Sequence, residues 1–271
     1  MINLLSKIFK NKDNNYYFED FNNYKKNSSI EKIFDLISNI PENSEIRYVG
    51  GFVRKIINKE KVDDVDLATN VIPEKICEIL KKNNISFYES GIEHGTITAK
   101  IENYKFEITT LRKDISTDGR HAKVEFSNDW HEDASRRDFT FNAIYADLDG
   151  NLYDPFNGKA DLNLGIVKFI GDPEKRIQED YLRILRYVRF YVNYSKIDHD
   201  DNLKKIIKQN INGVSKISSE RLLDELKKLV LSPGFLKISK DKFCQEIINL
   251  IFPQLVNLKI FKDIENSLKN I

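Results

Sequence analysis

Cysteine is nearly absent from this chain: Cys77 and Cys244 are the two among its 271 residues. Two cysteines build neither a disulfide framework nor a paired-cysteine metal knuckle, and they fit a reducing cytosol. Long apolar runs are missing as well. The opening MINLLSKIFK has too short an apolar core for a signal peptide, and no stretch reaches membrane-spanning length. No membrane partner is expected, and the expected location is cytoplasmic. A surplus of one charge sign is also lacking. Lys and Arg number 43 against 42 Asp and Glu, for a net charge of +1. No global basic field announces a nucleic acid, so any such surface must be local. What is there is 41% hydrophobic and 31% charged, the composition of a soluble globular protein with one large or two ordinary domains.

The periodicity divides the chain in two. Residues 1 to about 26 are polar and aromatic without clear period. SSIEKIFDLISN then predicts a helix, with Ser28 and Glu31 at capping-box spacing and Ile30, Ile33, Phe34 and Ile37 on one stripe. EIRYV, VDDVDL, GTITAKI, KFEITT and AIYADL read as strands, and PEKICEILKKN as a helix opened by Pro73. From about residue 173 the pattern turns helical, over 173–194, 201–210, 217–231, 241–250 and 257–270. The switch from period 2 to period 3.6 predicts an α+β domain over residues 1–162, followed by an all-helical one over 163–271.

Within the first domain, YVGGFVRKIINKEKVDDVDLATN concentrates the chemistry. On a strand, Asp64 and Asp66 share one face while Val65 and Leu67 share the other. Two carboxylates about 5 Å apart repel by about 3 kcal/mol at an effective dielectric of 20. A hard divalent cation with oxygen ligands offsets such repulsion. Taken alone, D-x-D is more often a solvent-exposed acidic strand end. The glycines narrow the choice. Gly50 and Gly51 follow a strand and open a helix that carries Arg54 in its first turn. Gly-Gly, then Arg, then D-x-D-x-x-T sets a phosphate cradle beside a metal site. Glu107 alternates with Phe106 and Ile108, so it can lie on the open face of a neighbouring strand. By itself it also fits a plain surface glutamate. Three carboxylates around two Mg²⁺ suit nucleotidyl transfer.

Two further segments are less telling alone. Arg136-Arg137-Asp138 stands before a predicted strand, where a basic pair is normally solvated. In EDYLRILRYVRFYV, Asp180, Arg183, Arg186 and Arg189 recur every third residue and spiral over about half a helix surface. An ordinary amphipathic helix has this pattern too, but arginine adds planar bidentate donors for a base edge or phosphate.

Together these segments resemble the class II tRNA nucleotidyltransferases, that is, bacterial CCA-adding enzymes and the related poly(A) polymerases. GGFVRK…DDVDLAT is similar to motif A, RRDFTFNA to motif B, DPFNGKADL to motif C, EDYLRILRYVRF to motif D and SSERLLDELKKLV to motif E. The resemblance implies a polymerase-beta-like head, a helical neck and body, and Mg²⁺-dependent transfer from CTP and ATP to the 3′ end of tRNA. It implies metal ligation by Asp64 and Asp66, with Glu107 as a third catalytic acid. It implies nucleotide contacts from Gly51, Arg54 and Arg137. Asp180 and Arg183 would read the Watson–Crick edge of the incoming base. Glu179 would orient Arg183, and Arg186 and Arg189 would reach base or phosphate.

The sequence departs from the pattern at Lys55, where the family usually has Asp, and at Asn157-Gly158, usually Gly-Gly. LRKDISTDGRHAKVEFSNDWHEDASRRD keeps Asp118-Gly119-Arg120 in an intact loop, which favours full CCA addition over CC addition alone. An A-adding or poly(A)-polymerase role is the alternative. A silent tRNA-binding module is a reading of another class, against which the retained acids and motif D residues argue. Asp198-His199-Asp200 offers a His-Asp pair, but no histidine follows it, so a phosphohydrolase site is not expected. About 40 residues follow motif E, and the tRNA is expected to be held by its acceptor end, with Lys216, Arg221, Lys227, Lys228 and the C-terminal lysines as phosphate contacts.

Overall fold

A computed structural model describes residues 17–41, 43–62, 64–117 and 122–255. The chain is α+β and forms two compact units, residues 1–116 with 123–159, and 117–122 with 160–271. The helix expected over 257–270 and the Asp118-Gly119-Arg120 loop lie outside the described residues.

The first unit opens with helix α1 (residues 17–27), within a stretch whose sequence shows no period. Aromatic contact compensates for the weak pattern. Phe21 is fully buried against Tyr48 and Phe52, and Tyr24 meets Phe52 edge-on. Full burial of such rings contributes about 1.5–3 kcal/mol each. Helix α2 (Ile30–Ser38) buries the predicted stripe Ile30, Ile33, Phe34 and Ile37. The expected capping box does not form. Ser29 enters the helix in the left-handed region without a side-chain cap, and Ser28 Oγ instead donates back to the Tyr24 carbonyl at 2.7 Å. Such back-bonding to the preceding turn competes with capping.

Strand β1 (Ile46–Val49) leads into helix α3 (Gly51–Ile57) and strand β2 (Val65–Thr69). Helix α4 (Pro73–Lys82) begins at Pro73, as predicted. Strands β3 (Ser86–Gly91), β4 (Thr96–Ile101) and β5 (Tyr104–Thr110) follow, then the two-stranded sheet of β6 (Arg112–Thr117) and β7 (Ala122–Phe126). Helix α5 (Trp130–Ser135) precedes strands β8 (Tyr145–Ala146) and β9 (Leu152–Tyr153). The main sheet has the order β3-β4-β5-β2-β1-β8-β9. Its β2–β5 pairing is parallel, and the other described pairings within it are antiparallel. Two strand expectations change. Asp64 stands one residue ahead of β2 rather than within it. AIYADL yields two strand residues, because Asp147 Oδ1 accepts from the backbone N–H of Asp149 and Asn151 at 3.0 and 2.9 Å and turns the chain.

The second unit is helical: α6 (Gly158–Leu164) at its start, then α7 (Pro173–Glu179), α8 (Leu182–Tyr194), α9 (Asp201–Asn210), α10 (Ser219–Val230) and α11 (Lys242–Ile251). Helix α8 is central and packs against α7, α10 and α11. The helix expected over 173–194 breaks at Asp180, which is extended (φ −153°, ψ 103°). Its Oδ1 accepts from the Leu182 N–H at 3.2 Å. Aspartate bonding to nearby backbone favours helix starts over helix interiors.

Candidate active site

The Gly-Gly turn is built for close approach. Gly50 has φ +64° and ψ −122°, a conformation that side-chain-bearing residues rarely adopt. A Cβ on Gly50 would lie 3.4 Å from Arg137 Nη1, and one on Gly51 would lie 3.5 Å from Asp66 Oδ2. The glycines therefore let a carboxylate and a guanidinium reach the turn between β1 and α3.

Asp66 is half-buried in β2, and Asp64 is exposed just before it. Glu107, exposed on β5, pairs with Asp66 across the parallel ladder. Adjacent strands lie about 4.8 Å apart, so side chains at paired positions share one face. Burial, opposed by Arg137 and reinforced by Asp64, raises the Asp66 pKa above the ordinary carboxylate value. Among the described residues, no hydrogen bond or ion pair joins Asp64 or Asp66 to another side chain. A cation would relieve the strain of bringing these carboxylates together, so the donor set fits a divalent metal.

Arg54 and Arg137 are held by partners within the first unit. Arg54 is 7% exposed, and its Nη1 donates to Asn142 Oδ1. Asn142 Nδ2 in turn donates to Asp138 Oδ1 at 2.8 Å. The solvated reading of Arg136-Arg137 is overturned by Asp133, 1% exposed on α5. Asp133 Oδ1 accepts from Arg136 Nε at 2.9 Å, and Oδ2 accepts from Arg137 Nη2 at 3.0 Å and Tyr145 Oη at 2.6 Å. Burial alone would raise the Asp133 pKa, but the two guanidiniums and the Tyr145 hydroxyl hold it well below the usual carboxylate range. Nor does a strand follow directly, since residues 140–142 form a 3-10 turn. Asp133, Asn142 and Tyr145 were not singled out in the sequence. The i−3 and i−4 spacing of Asp133 to the arginine pair was the available signal.

In the second unit the motif D charges are joined to one another. Glu179 Oε2 accepts from Arg183 Nη1 at 2.7 Å and Arg176 Nη1 at 2.5 Å. Arg183 also donates to the Arg176 carbonyl at 2.6 Å. Asp180 Oδ2 accepts from Arg221 Nη2 at 2.7 Å. Glu225 of α10, 2% exposed, accepts from Arg189 Nε at 2.5 Å and lies 3.8 Å from Arg186. Asp180 and Arg183 thus sit either side of a helix break rather than on successive turns of one helix. Arg221 binds a carboxylate rather than standing ready for phosphate.

The acids Asp66 and Glu107 thus pair across a parallel ladder beside a Gly-Gly helix start, and a helical unit follows in the chain. Residues 46–168 match the family described as the Poly A polymerase head domain. The chain is 48% identical over 192 residues to the mitochondrial CCA tRNA nucleotidyltransferase 1 of Mus musculus, covering 70% of this chain and 44% of that one. Among solved structures, it is similar to the CCA-adding enzyme of Bacillus stearothermophilus in complex with CTP (29% identity, TM-score 0.67, 80% of this chain and 53% of that one). It is also similar to a tRNA nucleotidyltransferase complexed with a primer tRNA and an incoming ATP analogue (27% identity, TM-score 0.64, 77% and 59%). The chain spans about half the length of the relatives it matches. No described helix is long and apolar enough to cross a membrane.

Proposed function

We propose that this chain adds C, C and A to the 3′ end of tRNA, using CTP and ATP, by template-independent nucleotidyl transfer. The observation that carries the reading is Asp66 paired with Glu107 across β2 and β5, with Asp64 beside them and the Gly50-Gly51 turn against Asp66. Asp64 and Asp66 would hold Mg²⁺, which when bound neutralises charge on the transferring phosphoryl group. The Gly51 backbone would accept the triphosphate. Arg54 and Arg137, held by Asn142 and Asp133, would keep positive potential beside it without reorganising. Glu107 would take part in ordering the reacting hydroxyl.

Base choice would rest on motif D. Arg221 Nη2 donates to Asp180 Oδ2, and Glu179 fixes the plane of Arg183. An acceptor and a donor so fixed can match C or A and leave a buried polar group unpaired against G or U. Arg186 and Arg189, steadied by Glu225, would stabilise this face. The substrate is expected to be the tRNA acceptor end, and the free thiols of Cys77 and Cys244 suit the cytosol. An A-adding or poly(A)-polymerase role is the second reading, favoured by the head-domain match.

Incubation with labelled CTP or ATP and tRNA ending before the first C, after one C and after CC separates the readings. CCA addition extends all three. Extension of the CC-ended substrate alone supports A addition. No incorporation on any overturns the enzymatic reading and leaves a tRNA-binding module. Deleting about ten residues around Asp118-Gly119-Arg120, outside the described residues, is expected to spare C addition and suppress the terminal A.

A further inference from the structure

One cluster in the helical unit has no part in nucleotide transfer. His199, on the segment between α8 and α9, meets Asp241 and Cys244 at the start of α11. The imidazole Nε2 lies 3.1 Å from Asp241 Oδ2 and 3.8 Å from Cys244 Sγ. One ligand atom from each residue falls within 4.8 Å of the others. In the chain His199 stands within Asp198-His199-Asp200, 42 positions before Asp241, and the cysteines are unpaired.

These separations match a metal centre. Bonds of about 2.0 Å to nitrogen and 2.3 Å to sulfur at a tetrahedral angle place the two donors about 3.5 Å apart, and nitrogen and oxygen about 3.3 Å apart. The surroundings also fit. Tyr187 Oη lies 2.9 Å from His199 Nδ1. It can accept the Nδ1 proton and so fix the tautomer whose Nε2 lone pair is free. Asp241 Oδ1 is taken by the Cys244 N–H at 2.7 Å, which leaves Oδ2 for a cation. The Tyr191 ring stacks on His199 at 3.5 Å and Phe243 meets it edge-on, so the imidazole is held in place. Cys244 is fully buried, out of reach of oxidants in bulk solvent.

We propose that His199, Asp241 and Cys244 form a zinc site that fastens the α8–α9 segment to the first turn of α11. Imidazole, carboxylate and thiolate together select a borderline cation over Mg²⁺. Binding replaces the Cys244 thiol proton, which leaves to solvent. The ion exchanges its other waters for the three protein ligands and keeps one water in the fourth position, and within the protein only the S–H bond breaks.

The full chain, freed of metal with a chelator, is titrated with Co²⁺ in excess Mg²⁺, which occupies the carboxylates of the first unit. One equivalent of Co²⁺ should give a near-ultraviolet thiolate-to-cobalt charge-transfer band, and Zn²⁺ should displace it. Cys77→Ser should keep the band and Cys244→Ser should lose it. Tyr187→Phe should weaken affinity by about 10–100-fold. Zn²⁺ should raise the Tm of the wild type and leave that of Cys244→Ser unchanged. Absence of the band in the wild type, or its survival in Cys244→Ser, overturns the site and leaves a hydrogen-bonded network only. If Cys244→Ser fails to fold, the wild-type and Cys77→Ser titrations decide alone.

Discussion

Acids in the sheet of the first unit and acids around α8 in the second are handled in opposite ways. Asp64 and Asp66 have no bonded cationic side chain among the described residues, and burial leaves Asp66 easier to protonate than an ordinary carboxylate. Around α8, Glu179, Asp180 and Glu225 each meet arginine at 2.5–2.7 Å. The first arrangement is costly to the fold and open to a metal. The second spends its charges on holding side chains still. Asp133 shows that the first unit also contains the second kind of acid: it pairs with the same Arg137 that approaches Gly50.

Loss of the sheet acids should have the largest effect. Asp64→Ala and Asp66→Ala are expected to lower CMP and AMP incorporation alike by at least about 10²–10³-fold while circular dichroism stays that of the wild type. Near-normal rates at saturating Mg²⁺ would erase the contrast.

Stability should move the opposite way at the two kinds of acid. Asp133→Ala removes the carboxylate from two guanidiniums and should cost about 3–5 kcal/mol in denaturant unfolding. Asp66→Asn should leave stability at neutral pH unchanged or raised. An Asp133→Ala chain as stable as wild type would show that water replaces the carboxylate.

The pH profiles sharpen this pair. Asp133 has a depressed native pKa, so its stabilisation is complete above its unfolded value of about 3.9 and disappears as pH falls through the native value. Asp66 has a raised native pKa, so its ionisation costs stability as pH rises from the unfolded value through the native one. Acid titration of Tm should be flattened by Asp133→Asn, and the loss of stability on raising pH should be reduced by Asp66→Asn. Identical slopes for both variants would contradict the pairing described here.

The motif D network should give the smallest and most selective change. Asp180→Ala or Arg183→Ala should reduce discrimination against UTP and GTP by about 1–3 kcal/mol, the value of one bidentate base-edge contact, with little change in triphosphate affinity. Arg221→Ala should reproduce part of the Asp180→Ala effect. If affinity falls and selectivity does not, these residues bind phosphate.

Much of this was legible in sequence because the signals were local. Alternation placed Val65 and Leu67 in the core, and the Ile30–Ile37 stripe and Pro73 marked two helices. Glu107 was found by alternation, but its register against Asp66 depends on long-range pairing that no local pattern encodes. Helix α1 was missed because its burial is aromatic and irregular. The break at Asp180 was hidden because the apolar period runs on through it. Taken alone, Arg136-Arg137 read as a solvated pair, because no local pattern showed that Asp133 is buried against them. The motif resemblance, rather than any spacing, linked Asp180 and Arg183 to base choice.

The parallel register of β2 and β5 also has a bearing on how the molecule acquires its activity. Asp66 and Glu107 meet only after α4, β3 and β4 have been bridged, while the motif D contact Glu179–Arg183 joins residues four positions apart. Non-local pairing is the slower event in folding. During refolding, helical signal should therefore return before nucleotide incorporation, and a chain interrupted in synthesis before β5 would carry one half of its acidic pair with nothing opposite it.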